Sequence, residues 1–232
     1  AIESIGFECT RCGGCCKGES EEPHTATVFP DEVRALQDAT ASTAADTDAD
    51  LDDTNGEIEY DWRDVARPMP YGLTEGDDGL EGETFEWALQ TNACGDCRFY
   101  EEESDANSVQ DADPEQPGDG YCTVHDDRPL ICETYPFSVA LGGTSQPMGE
   151  AVDEAGMVRA HECEGLGRDI DRADAESLAA ALKERTVREL EEAIGVRDAY
   201  EPTSTERGEV VVHDSEGAKR PDGSGIDEGD DR

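Results

Sequence analysis

The sequence predicts a small, irregular α+β domain of short strands and loops, followed by a C-terminal amphipathic helix and a disordered acidic tail. Three observations lead there. The 232 residues carry a formal net charge of −41, from 59 Asp and Glu against 18 Lys and Arg. Leu, Ile, Val and Phe together number 36, about 16% of the chain. A share below ~20% with high net charge reads as disorder, because too little apolar surface is available to offset chain entropy. Nine cysteines oppose that reading: solvated acidic segments have little use for thiols. What remains is a folded unit held by something other than a large apolar core.

The acid runs along the whole chain, and lysine is confined to Lys17, Lys183 and Lys219. This resembles a protein from a salt-loaded, halophilic cytosol. The Debye length there is about 3 Å at 1 M salt, so carboxylate repulsion is screened while hydration is kept. Such a surface repels phosphate backbones, so no nucleic-acid partner is expected. No stretch approaches ~20 apolar residues, so no membrane span is expected either. Residues 1–8 lack a basic and apolar export pattern, and the expected location is cytoplasmic.

The elements follow in chain order. Phe29–Leu36 reads as a short helix: Pro30 suits the first turn, acids favour its N-terminus, and Val33 and Leu36 share a face. Residues 40–56 read as a solvated loop. Glu57–Asp61 and Thr84–Leu89 alternate like strands, and residues 101–120 form an acidic loop with nothing to pack. Phe137–Leu141 and Met157–His161 read as short strands. Residues 174–195 carry Leu178, Leu182, Leu190 and Ile194 on one face, with Asp174 as N-cap and Gly195 as stop. That helix is expected to dock on the cysteine-bearing domain, residues 5–168. From 202 to 232 only Val210, Val211 and Val212 offer anything to bury, so this segment is expected to be disordered.

The thiols explain what replaces the core. Cys9, Cys12, Cys15 and Cys16 fall within eight residues among Thr, Arg and Gly. Disulfides belong in oxidising compartments, adjacent cysteines pair poorly in a tight loop, and buried free thiols favour apolar surroundings. Thiolates converging on a metal account for the cluster, with Gly13 and Gly14 letting the backbone wrap closely. Cys94 and Cys97 form a C-x-x-C pair without the βαβ context of a thioredoxin-type site. Cys122, Cys132 and Cys163 complete the set. The domain is therefore read as metal-stapled.

The run Phe7-Glu8-Cys9-x2-Cys12-Gly13-x-Cys15-Cys16, then Cys122 before Arg128-Pro129-x2-Cys132-x2-Tyr135-Pro136-Phe137, then Cys163-x-Gly165-x-Gly167, resembles the YkgJ-type cysteine-cluster proteins. That family is described as a zinc- or iron-chelating domain, or as Fe–S-cluster-containing proteins. The resemblance spans about residues 7–167. It departs at Glu133, where the family usually has Arg, and at His125, where Tyr is common.

C-x2-C-x2-C opens a ferredoxin-type [4Fe–4S] run whose fourth thiolate comes from elsewhere. An Fe–S cluster is the favoured cofactor, with zinc as the alternative. One four-ligand set is taken as Cys9, Cys12, Cys16 and Cys132, with Cys15, Cys122 and Cys163 next; Cys94 and Cys97 complete a second site or form a redox pair. His125 and His161 are secondary ligand candidates, and His24 and His213 are expected at the surface. Pro129 is expected to fix the turn into a short helix carrying Cys132, with Arg128 pairing with nearby acids. No radical-SAM triplet, P-loop, G-x-G-x-x-G or nucleophile elbow is present. The expected function is electron transfer, redox chemistry or sensing with an unidentified redox or protein partner. The alternatives are a structural zinc domain, or a cluster-dependent oxidoreductase or methyltransferase.

Overall fold

The computed structural model describes residues 2–18, 21–45, 60–76, 79–102, 120–141, 149–203 and 208–226, without the side chains of 41–45. Two compact units emerge, and both are discontinuous in sequence. The first is Ala1–His24 with Thr91–Glu189; the second is Thr25–Gln90 with Leu190–Arg232. All nine cysteines lie in the first. These units divide the chain differently from the expected domain over 5–168: residues 25–90 fall in the second unit and 91–189 in the first.

The first unit has a small core of Ile2, Phe137, Ala160, Ala175 and Leu182. The Phe7 ring meets Phe137 edge-on at 5.6 Å. Val158–Ala160 is the middle strand of an antiparallel sheet, between Phe137–Val139 and Glu150–Ala151. A second ladder pairs Tyr100–Glu102 with Gly120–Cys122. The expected loop over 101–120 therefore has strands at both ends; its residues 103–119 lie outside the described part.

The long helix runs Arg172–Ala199, beyond the expected 174–195 at both ends. Asp171, not Asp174, caps it: the Asp174 amide donates to Asp171 Oδ1 at 2.9 Å. Gly195 does not stop it. A Cβ there would come within 2.4 Å of Ser215 Cβ, so glycine serves close approach rather than termination. Packing is uneven along its length. Ala175, Ala181 and Leu182 are buried, whereas Leu190 and Ile194 are 38% and 50% exposed. The docking face expected from Leu178 to Ile194 thus exists only in the N-terminal half.

The second unit holds a conventional core. Val33, Leu36, Val65, Trp87, Leu89 and Val212 are each at most 1% exposed. Trp87–Leu89 is the middle strand between Thr27–Val28 and Ala66–Pro68. A four-stranded sheet has the order Gly217–Lys219, Val210–Asp214, Gly79–Thr84, Leu73–Gly76. Val210–Asp214 runs parallel to Gly79–Thr84. This corrects the disordered tail expected over 202–232, of which 204–207 and 227–232 lie outside the described residues. The three valines have no apolar neighbours in sequence; their partner strand arrives from far upstream.

The helix beginning at Pro30 continues to Ala45. Its Ala- and Thr-rich second half, expected as loop, propagates the helix because alanine loses the least entropy there. Residues 46–56 lie outside the described part. So do 57–59 of the expected strand 57–61, and Asp61 caps the short helix Trp62–Val65 through a capping box. Among the described residues no helix is long and apolar enough to cross a membrane.

Candidate metal centre

Backbone pairing in the first unit carries the thiols together from distant parts of the sequence. Phe7 pairs with Leu166, and the Glu8 amide donates to Gly165 O at 3.1 Å. The segment carrying Cys9 therefore lies against the one carrying Cys163. Gly165 allows this contact: a Cβ would stand 2.2 Å from the Glu8 carbonyl oxygen. The chain then turns around Gly13, at φ +72, whose carbonyl accepts from the Cys16 and Lys17 amides at 2.8 and 3.1 Å. That turn brings Cys15 Sγ and Cys16 Sγ to 3.9 Å.

A second set of ties starts at Cys16. The Cys97 amide donates to Cys16 O at 2.7 Å. The turn preceding Cys97 is held by Asn92, whose Oδ1 accepts from the Cys94 and Asp96 amides at 2.8 and 3.1 Å. Within it Cys97 is 4% exposed while Cys94 is exposed. Cys122 ends the strand paired with Tyr100, and the Thr123 amide donates to Phe99 O at 2.9 Å. Cys132 lies on the helix Leu130–Thr134, entered from Pro129 as the sequence suggested.

Arg128 has a partner that the sequence did not suggest. Its Nη1 donates to the His125 carbonyl at 2.6 Å and lies 3.0 Å from the His125 ring nitrogens. This contact sets His125 beside the guanidinium. His161 stacks obliquely near Tyr135 at 6.0 Å, and its Nδ1 is buried with no hydrogen-bond partner. His213 belongs to the other unit and is 1% exposed, contrary to its expected surface position; Phe85 stacks on it at 5.4 Å.

The thiols influence one another. The thiol–thiol contact with Cys16 pulls Cys15 down to about 7, and the same contact, with burial, holds Cys16 far above the usual thiol range. Cys97 and Cys132 raise Cys16 further. Burial pushes Cys97 up to about 11, with Cys122 and Cys15 adding repulsion. Burial also raises Cys163, reinforced by Cys12, Cys15 and Cys9. Eight thiols thus share one electrostatic neighbourhood, in which Arg128 is the cation that favours the thiolates of Cys15 and Cys122.

Three of these sulfurs meet a backbone N–H two residues onward: Phe99 for Cys97, Val124 for Cys122, and Gly165 for Cys163, the last at 3.4 Å. Amides aimed at sulfur favour the thiolate. Spacing in the sequence signals none of these three amide contacts.

Among the described residues no three His, Cys, Asp or Glu side chains already stand in a metal-holding arrangement. The donor chemistry nonetheless fits a thiophilic metal. Mutually repelling thiols do not ionise together unless a cation replaces their protons, and amide donors are already turned toward three sulfurs.

The family model CxxCxxCC, described as "Putative zinc- or iron-chelating domain", matches residues 8–164. Neither a curated protein nor a solved structure matches the chain.

Proposed function

The chain belongs to the CxxCxxCC family of zinc- or iron-chelating domains, and from that premise we propose that its gathered thiols hold iron as an Fe–S cluster serving electron transfer or redox sensing. The observation that carries the reading is the Glu8–Gly165 backbone contact, which lays the segment carrying Cys9 against the one carrying Cys163. Three closely spaced thiolates with a fourth from a remote segment is the ferredoxin type of ligation. When bound, such a cluster supplies one-electron chemistry. The protein's own part is to hold the sulfurs, exclude water around Cys97, and bias the potential through N–H donors.

A structural zinc domain is the second reading. Nine cysteines in one unit are enough to supply a closed four-sulfur shell, which leaves no open coordination position. Anaerobic purification of the full chain with iron, sulfide and zinc analysis separates the two. Coloured protein with stoichiometric iron and sulfide is the expected result. Colourless protein with stoichiometric zinc overturns the cluster in favour of the second reading, and metal-free protein overturns both.

A further inference from the structure

We propose that the exposed face of the long helix is a self-association surface, on which a second copy of this chain seats the same helix antiparallel, across a two-fold axis at the Leu190–Glu191 peptide bond. Val187, Leu190 and Ile194 are spaced three and four apart, so they form one stripe along the helix Arg172–Ala199. They are 43%, 38% and 50% exposed, in a chain with little apolar sequence to spare. The stripe is not the face by which this part of the helix packs. There the helix meets Ser215 through Gly195 and through Glu192, whose Oε1 accepts from the Ser215 amide at 2.9 Å. Each residue advances the helix by about 100°, which puts Glu192 and Gly195 on the far side from Leu190 and Ile194.

The charges say what covers the stripe. Lys183 and Glu184 stand exposed at one end of it, Arg197 and Asp198 at the other. Val187 and Ile194, Lys183 and Asp198, and Glu184 and Arg197 are all centred on the same Leu190–Glu191 peptide bond. A two-fold axis there makes the face complementary to itself. Val187 lies opposite Ile194 of the second copy, and the two copies of Leu190 meet at the axis. Each end gathers two cations and two carboxylates, as Lys183–Asp198 and Glu184–Arg197 pairs. Arg197 pairs with its neighbour Asp198 at 2.7 Å, both largely exposed, so no interior contact has to be given up. A parallel helix would instead stack Lys183 on Lys183 and Arg197 on Arg197. A basic partner helix would meet both with like charge. Glu191 meets its own copy beside the axis, and the net charge of −41 opposes approach in dilute buffer. Both repulsions are screened in molar salt. One helix face offers less than the ~1,200 Å² of a standard interface, so the dimer is reversible.

The test is sedimentation equilibrium of the full chain in molar KCl under anaerobic reducing conditions, so that none of the nine free cysteines cross-links the copies. A concentration-dependent monomer–dimer equilibrium is expected. Leu190→Glu is expected to leave monomer only, with helix content by circular dichroism unchanged because the side chain is exposed. Glu184→Arg and Arg197→Glu are each expected to weaken the dimer about tenfold or more, since each sets like charges opposite one another at both ends. Combined in one chain, or mixed as two single variants in equal amounts, they are expected to restore the dimer. Wild-type monomer at every concentration overturns the proposal without any variant. A dimer that survives Leu190→Glu overturns this surface. Failure of the double variant and of the mixture to recover overturns the antiparallel pairing.

Discussion

Lys219 Nζ lies 2.7 Å from Asp214 Oδ2 in the interior of the second unit, with the side chains 8% and 1% exposed. Asp214 also accepts from Trp87 Nε1 at 2.8 Å and from the Glu216 amide at 2.9 Å. Lys219 stands over the Trp62 ring at 5.3 Å. The carboxylate is therefore satisfied on several sides, and the ammonium is offset by charge and by an aromatic face. A protein with so few lysines spends one of them here.

Removing one partner of a buried pair leaves the other charge uncompensated, at about 3–5 kcal/mol. Asp214→Ala and Lys219→Met are each expected to destabilise the second unit by an amount of that order. Both tryptophans, Trp62 and Trp87, lie in this unit, so denaturant unfolding followed by tryptophan fluorescence reports on it alone. Metal content, which the proposed function assigns to cysteines of the other unit, is expected to stay unchanged in any variant that folds. Wild-type stability in both variants would remove the pair from the list of what holds this unit.

The same hairpin sets a pH window. Arg34, with Lys219 adding to it, holds the Glu216 carboxyl down at about 2, against an ordinary 4.5. A depressed folded-state value means that the unfolded chain takes up the proton first. The contribution is fully present above about 4.5 and is lost as pH falls toward about 2. Glu216 is 42% exposed, so solvent screening reduces its size. Acid unfolding followed by tryptophan fluorescence is expected to be shallower across that window in Glu216→Gln. An unchanged acid profile would show that this ion pair contributes nothing measurable.

What could be read from the sequence follows from how local the signal is. Cys9 to Cys16 announce themselves within one turn, and Pro129 before Cys132 specifies its short helix with no outside help. Val210–Val212 could not be placed, because the strand they join begins at Gly79 and the buried contact between Trp87 and Asp214 spans 127 positions. The burial of His213 is hidden from the sequence for the same reason: Phe85 stacks on it from a distant segment. The composition of residues 40–56, rich in Ala, Thr and Asp, reads as a solvated loop, yet alanine propensity carries the Pro30 helix on to Ala45. Among the thiols, spacing marks candidate donors, and only the fold shows which segments lie together. Nothing near Cys163 says that Cys9 is its neighbour.

Gly165 tests that company. A side chain at 165 would meet the Glu8 carbonyl, which is backbone and cannot swing aside. Gly165→Ala is therefore expected to separate the two segments and displace Cys163 from Cys9. Loss of a support of this kind typically costs 10–100-fold in metal affinity. Competition with a chromogenic chelator measures it, and an affinity equal to wild type would show that the Glu8–Gly165 contact does not set the site.

The charge of −41 bears on every one of these measurements. Carboxylates spread along the whole sequence repel one another in dilute buffer, and screening removes most of that repulsion once the Debye length falls to about 3 Å at 1 M salt. Folding is therefore expected to strengthen with KCl up to the molar range, read as a rising denaturant midpoint by circular dichroism. The gain should exceed that of the Lys219–Asp214 pair, which is buried and only weakly screened. Replacing KCl by an equal concentration of choline chloride should preserve most of the gain, because screening depends on ionic strength rather than on the cation. Full stability in dilute buffer with no gain from salt would detach the acidity from any adaptation to a saline cytosol.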